Sequence, residues 1–250
     1  FKQFESINMN RFIQASILSC QEIASLIKGG SNSLFEIHEQ GFGGDFSSGI
    51  DLKAEAICFK RLSPFGSVFS EESGWMSPQS TTNIYLDPID GSDNFISRLP
   101  YYGISIARIV DGATTEALVC NLANGDLFVR TENEYYRTSL TESNVKETII
   151  TNRSAKIGLF EKAPEHPELV QKLMAHKLKF RSPGALALSL AYAPYVKYVL
   201  FLGTMRSYDI QAGLYLSKHL HVFNDDRYIL ICADKTLFEQ IRLIVEKEYF

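Results

Sequence analysis

The stretch Asp87-Pro88-Ile89-Asp90-Gly91-Ser92-Asp93-Asn94-Phe95 restricts this chain more than any other, because it sets acids, a proline and a glycine behind an apolar approach. That approach, Asn83-Ile84-Tyr85-Leu86, is branched and apolar enough for a short buried strand. Asp87 then stands at a strand's C-terminal end, where open α/β sheets hold ligands. Pro88 biases Asp87 toward extended backbone. A tight turn after it is expected to bring Asp87, Asp90 and the Ile89 carbonyl to one point. Such an all-oxygen set suits a hard cation such as Mg²⁺. Gly91 permits the turn, and Ser92 is expected to cap a following helix, leaving the Gly91 and Ser92 amides for a phosphate. The same residue types also close ordinary loops, so the motif taken alone leaves a plain turn open.

At 250 residues the chain can bury about three quarters of its unfolded surface, in one large domain or two packed subdomains. No apolar run approaches the ~20 residues that span a bilayer, so no membrane partner is expected. The 25 basic and 29 acidic side chains contain no basic block, which argues against nucleic acid as the main partner. Cys20, Cys58, Cys120 and Cys232 lie far apart in apolar company and read as reduced, buried thiols. With no leader-like segment at the start, they lead to the expectation of a cytoplasmic protein.

Apolar residues at helical spacing predict a helix over 10–27, opened by Asn10 and stopped by Gly29-Gly30. The glycine-dense stretch 41–49 lacks a P-loop's G-K-[ST] ending and is expected to be a mobile loop. Asp51 falls in the first turn of a second helix, where helix capping alone would explain it. A strand over 66–70 delivers Glu71-Glu72, of which only one can face a given site. Three strands near 102–110, 115–120 and 125–130, parted by Asp111-Gly112 and Asn124-Gly125, predict an antiparallel meander. The chain to about residue 145 therefore reads as an α+β subdomain. From 146 to 250 strands and helices alternate, as in a smaller α/β subdomain: a strand at 147–151, helices at 167–178 and up to Tyr192, and a strand at 196–202. Asp209 then opens a helix in which Ala212 and Gly213 allow close packing, and a strand to Cys232 precedes a last helix over 235–247. One compact unit with a site between the two parts is expected. His219 and His221 form an H-x-H pair without a third suitably spaced ligand, and no G-x-S-x-G elbow supports a serine hydrolase.

Glu71-Glu72-Ser73, the stretch from Asp87 to Phe95, and Asp209-x-x-Ala212-Gly213 follow one another in an order and spacing that resemble the inositol monophosphatase family. Gly103-Ile104-Ser105-Ile106 and Ser182-Pro183-Gly184-Ala185-Leu186 extend the resemblance over nearly the whole chain. It implies a layered α/β/α/β/α sandwich and Mg²⁺ as cofactor, two or three ions. Carried over by position, it implies Glu71, Asp87 and the Ile89 carbonyl as ligands of one ion, and Asp87, Asp90 and Asp209 as ligands of a second. Asp51, Glu71 and Ser92 would be catalytic: the Ser92 hydroxyl, paired with Asp51, would orient a metal-activated water for in-line attack on phosphorus. The Gly91 and Ser92 amides would bind the phosphate, and Asp93, Gly184 and Ala185 would line the substrate.

The implied substrate is a small-molecule phosphate ester, inositol monophosphate or a related sugar phosphate, and the implied assembly is a homodimer. The chain departs from the family where an acid that grips ring hydroxyls is expected, since Val199-Leu200-Phe201-Leu202-Gly203 carries none. Ser92 replaces the usual Thr, and Asp93 and Lys197 also differ. The D-G-S form is shared with fructose-1,6-bisphosphatases, so a sugar bisphosphate is the nearest alternative, with Arg98, Lys197 and Arg206 available to a second phosphate. A regulatory protein that binds Mg²⁺ and a phosphometabolite without hydrolysing it is another.

Overall fold

The computed structural model describes residues 10–250. Asn10 caps helix α1 (Arg11–Lys28), its side chain accepting from the amides of Phe12 at 2.9 Å and Ile13 at 3.3 Å. Strands β1 (Ile37–Gln40) and β2 (Phe46–Ser48) then pair antiparallel. The glycine-dense stretch is therefore partly a hairpin and not simply a loop: Gly41 N–H donates to the Asp45 carbonyl at 2.9 Å and closes it. Helix α2 (Gly49–Leu62) packs beside α1.

The large sheet comprises β3 (Ser67–Ser70), β4 (Gly74–Trp75), β5 (Thr82–Asp90), β6 (Gly103–Val110), β7 (Ala113–Asn121), β8 (Asp126–Arg130), β9 (Tyr135–Ser139) and β10 (Glu147–Thr148). Its order is β10-β9-β8-β7-β6-β5-β3-β4, antiparallel except for the β3–β5 pair. Short helix α3 (Ser92–Ile96) follows β5. The β6–β7 turn uses Asp111 at φ 49° and Gly112 at φ 83°, the paired positive φ values a two-residue hairpin requires. The strand expected to open the second part of the chain is β10, and it instead extends the edge of this sheet by pairing with β9.

The remaining elements are β11 (Gly158–Glu161), α4 (Pro167–Ala175), β12 (Phe180–Arg181), α5 (Leu186–Ala191), β13 (Val199–Leu202), α6 (Ser207–Ser217), β14 (His221–Asn224), β15 (Tyr228–Cys232) and α7 (Lys235–Leu243). Their strands form a second sheet ordered β12-β11-β13-β15-β14, parallel as far as β13 and antiparallel beyond it. The final helix ends earlier than expected, passing into a wider π turn over Ile244–Tyr249.

Strand alternation explains the layering. On β7, Leu118 and Cys120 face α1 and α2, while Ala117 and Val119 join the apolar layer that includes Leu188, Ala191, Ala212 and Leu216 of α5 and α6. On β13, Val199 and Phe201 meet the other side of α5 and α6, and Leu200 and Leu202 meet α4 and α7. The result is the layered α/β/α/β/α sandwich, with α5 and α6 buried between two sheets. Gly213 fits that middle layer because a Cβ there would lie 2.4 Å from the Leu190 Cβ. No described helix is long and apolar enough to cross a membrane.

Candidate active site

The site begins with an irregularity in β5. Asp87 pairs with Ser105 and Asp90 with Gly103, so three steps along β5 match two steps along β6. This is a bulge, and Pro88, which has no N–H for the ladder, sits inside it. On a regular strand residues three apart point to opposite faces; the extra residue removes that opposition for Asp87 and Asp90. The expected tight turn is therefore a bulged strand that continues to Asp90, with Gly91 making the turn at φ 87°. A Cβ on Gly91 would come within 3.0 Å of the Ala185 Cβ and the Tyr101 carbonyl oxygen. Gly91, not Ser92, occupies the cap position of α3, and Ser92 is its first residue.

Glu71 follows β3 and fixes its backbone to β5, its N–H donating to the Leu86 carbonyl at 3.1 Å. Asp209 stands in the first turn of α6, and Ser105 Oγ anchors that turn by donating to the Tyr208 carbonyl at 3.1 Å. Carboxylate oxygens of Glu71, Asp87 and Asp209 lie within 4.8 Å of one another. Glu72 turns elsewhere and accepts from the Ser47 hydroxyl, as adjacent residues on an extended chain require. Asp87 Oδ1 is buried and has no hydrogen-bond partner among the described residues. Burial, then the charges of Glu71 and Asp90, raise the Asp87 carboxyl well above its usual range. Burial followed by Asp209 pushes Glu71 up to about 8. Asp209 is raised by burial in spite of Arg206.

Among the described residues, the cation paired with this cluster is Arg206. Its Nε donates to Asp209 Oδ2 at 2.8 Å, and Nη1 lies 3.3 Å from Glu71 Oε1 and 3.1 Å from Asp45 Oδ2. Nη1 also donates to the Gly43 carbonyl at 3.3 Å, tying the β1–β2 hairpin to the start of α6. Burial works against the cation, but Asp209 and Glu71 outweigh it and raise the guanidinium's pKa. Arg206 thus sits on acids and is not held out for a second phosphate. Arg98 covers the Phe35 ring at 5.0 Å, and Lys197 lines a separate cavity.

Around this trio the other acids are differently placed. Asp51 Oδ2 accepts from Ser48 N at 2.6 Å and Ser48 Oγ at 2.7 Å, which closes the first turn of α2. Asp51 Oδ1 accepts from Ser92 Oγ at 2.6 Å, and the same hydroxyl lies 2.9 Å from the Ile89 carbonyl. Asp90 Oδ2 accepts the Leu188 amide at 2.8 Å, so it also serves the start of α5. Burial, with Asp209 and Glu161 adding to it, pushes Asp90 up to about 8. Gly184 and Ala185 lie against Gly91: Asn94 Nδ2 reaches the Pro183 carbonyl at 2.7 Å, and Gly184 N–H donates to Glu161 Oε2 at 2.9 Å. Asp93 is exposed, and its charge raises the Asp51 carboxyl further after burial has done so.

Sequence reasoning overlooked Glu161, which also accepts from the Ser189 hydroxyl, and Asn94 as a clamp. An acid ending the short apolar run Gly158-Leu159-Phe160 was the available signal for Glu161. For Arg206 it was the i,i+3 spacing to Asp209. His219 bonds to Arg130 Nη2 through Nδ1 at 2.9 Å, and the acidic trio is the only metal-sized ligand group among the described residues. All four cysteines are free and buried.

An all-oxygen trio, half-buried at Glu71 and buried at Asp87 and Asp209, with an orphaned carboxylate oxygen could hold a divalent hard cation, and it lies within an α/β/α/β/α sandwich. The chain belongs to the inositol monophosphatase family, whose profile matches residues 8–218. It is 30% identical over 158 residues to the Nus factor SuhB of Escherichia coli, an alignment covering 59% of each chain. It is 27% identical over 150 residues to the fructose-1,6-bisphosphatase of Pyrococcus furiosus, spanning 60% of this chain and 56% of that one. These alignments therefore span under two thirds of either relative. The fold matches the crystal structure of the extragenic suppressor protein suhB from Bartonella henselae with a TM-score of 0.77 at 21% identity, covering 95% of this chain and 99% of that one.

Proposed function

We propose that this chain is a Mg²⁺-dependent phosphatase that hydrolyses a small phosphate monoester, inositol monophosphate or a related sugar phosphate, by in-line attack of water. The observation that carries the reading is the Glu71, Asp87 and Asp209 cluster, whose Asp87 Oδ1 is buried without a partner. Glu71, Asp87 and Asp209 would hold divalent ions, with Asp90 and the Ile89 carbonyl beside them. Bound there, such ions supply charge for the phosphoryl oxygens and lower the pKa of water.

The chain's own groups supply orientation and proton handling. Ser92 Oγ donates its single proton to Asp51 Oδ1, which leaves its lone pairs to accept a hydrogen bond from the attacking water. Asp51 stays aligned because the Ser48 amide and hydroxyl hold its other oxygen. Gly91 makes its turn at φ 87° against Ala185 and Tyr101, where a side chain would not fit, and its amide and that of Ser92 would be left for a phosphate. Gly184 and Ala185, held by Glu161 and Asn94, would form the wall on the leaving-group side.

A sugar bisphosphate is a second reading, favoured by the alignment to the Pyrococcus furiosus fructose-1,6-bisphosphatase. The alignment to a relative named a Nus factor supports a third, in which this chain acts through a macromolecular partner. Phosphate release from inositol 1-phosphate, fructose 1,6-bisphosphate and simple sugar phosphates, with and without Mg²⁺, separates them. Release that needs Mg²⁺ and is lost in Asp87→Asn supports the hydrolytic reading. No release from any ester with Mg²⁺ or Mn²⁺ refutes it.

A further inference from the structure

A cavity of about 680 Å³ lies at the opposite end of the second sheet from the acidic trio. Its walls come from residues 151–155 before β11, Val196 and Lys197 before β13, residues 233–237 after β15, and His219 and Leu220 after α6. Strands β11 and β13 run parallel and β15 antiparallel to them, so these segments converge on one edge. Asp209 sits in the first turn of α6, whereas His219 lies just past its last. The 11 residues of that helix therefore separate the two places by about 16 Å.

The cavity's chemistry is the inverse of the trio's. Arg153, Lys197 and Lys235 line it, and none of the three forms an ion pair with a carboxylate among the described residues. Asp234 is the single acid in the wall, and its Oδ1 is engaged in capping α7, accepting from Leu237 N at 2.7 Å. Behind His219 stands Arg130, only 6% exposed, with no carboxylate partner among the described residues and with Nε unbonded among them. Its guanidinium lies 3.8 Å over the Tyr135 ring and donates through Nη2 to His219 Nδ1 at 2.9 Å. A buried cation without a counter-charge is costly, and in a chain of net charge −4 so local a positive excess needs an explanation. Ala155, Val196, Leu220, Ala233 and Leu237 add apolar wall, and the volume falls within the range of small-molecule sites.

We propose that this cavity is a second binding site, for a phosphate monoester with an organic body of about nucleotide size, separate from the acidic cluster. Lys197, Lys235 and Arg153 hold the phosphate, and the Arg130–His219 pair reinforces the field from behind. The apolar wall receives the body. A free phosphate ion would leave most of the volume unfilled.

Isothermal titration of the full chain in EDTA tests this, because without divalent ions the acidic cluster repels anions. The probes are adenosine 5′-monophosphate, ribose 5-phosphate and inorganic phosphate. Adenosine 5′-monophosphate is expected to bind tightest. Arg153→Ala weakens it about tenfold and Lys197→Ala with Lys235→Ala about a hundredfold, near one charge-assisted contact per cation. Asp87→Asn leaves the affinity unchanged. Circular dichroism of each variant confirms that these exposed substitutions keep the fold. The proposal is overturned if no probe binds at millimolar concentration, if the lysine and arginine variants bind as the parent does, or if inorganic phosphate binds as tightly as the nucleotide.

Discussion

Two sets of acids, all buried except the half-buried Glu71, stand side by side in this protein, and they differ in what their oxygens touch. Asp51, Asp90 and Glu161 are supplied with donors: the Ser48 amide and the Ser48 and Ser92 hydroxyls for the first, the Leu188 amide for the second, the Gly184 amide and Ser189 hydroxyl for the third. Glu71, Asp87 and Asp209 have one shared guanidinium, and Asp87 Oδ1 has nothing. Burial raises the carboxyl pKa in both sets. The shift alone therefore does not mark a metal centre. The missing donors are what set the trio apart as a candidate cation site, because an unsatisfied buried carboxylate is costly unless something neutralises it.

Substitution separates the two sets. Asp87→Asn is expected to lower Mg²⁺-dependent phosphate release by roughly 10²–10³-fold, the scale of one preorganised electrostatic group. The same change should raise the melting temperature in EDTA, because it removes repulsion among the trio. A drop in melting temperature there would place Asp87 with the satisfied acids. Asp51→Ala has the reverse signature, since it strands the Ser48 and Ser92 donors; a loss of about 1–3 kcal/mol in urea unfolding, with or without metal, is expected. Unchanged stability would erase the distinction.

Arg206→Gln sharpens the comparison with a smaller effect. Removing the resident cation is expected to tighten Mg²⁺ binding about fivefold in calorimetry, as suits a partly exposed ion pair, while lowering stability in EDTA. Weaker Mg²⁺ binding would instead make Arg206 a support for the metal-bound arrangement. The smallest effect concerns pH. Glu71 and Asp90, with ordinary values of 4.5 and 3.8, are each pushed up to about 8. The folded chain therefore retains protons that the unfolded chain has released. Stability in EDTA is fully present below about pH 4 and declines as pH rises toward 8. Thermal melts in EDTA should fall across that window, and Mg²⁺ should restore more at pH 8 than at pH 5. A flat EDTA profile would mean that the cluster is already neutralised.

Much of this was legible in the residues. Asp87 and Asp90 stood out by their neighbours, the acids at 51, 71 and 209 only through the resemblance to the inositol monophosphatase family, and β7 and β13 were visible as apolar runs. The register of β5 was not legible, because a bulge depends on how β6 pairs with it, which no local pattern records. Glu161 escaped notice for the same reason: its role is to accept from Gly184 and Ser189, residues distant in sequence. Strand β10 was assigned to the wrong layer because two residues carry no signal of which edge they will join. Gly91 taking the cap position from Ser92 shows how one positive φ shifts a helix start by a residue.

The surplus residue in β5 makes this chain unusually intolerant of one kind of change. Most strand substitutions alter a contact, but inserting a single amino acid between Gly103 and Ser105 would restore a regular ladder between β5 and β6. The two carboxylates would then project from opposite sides of the sheet. Both would remain in the sequence, yet the pocket would be dismantled, so the relative length of the two strands here serves chemistry where elsewhere it serves only packing.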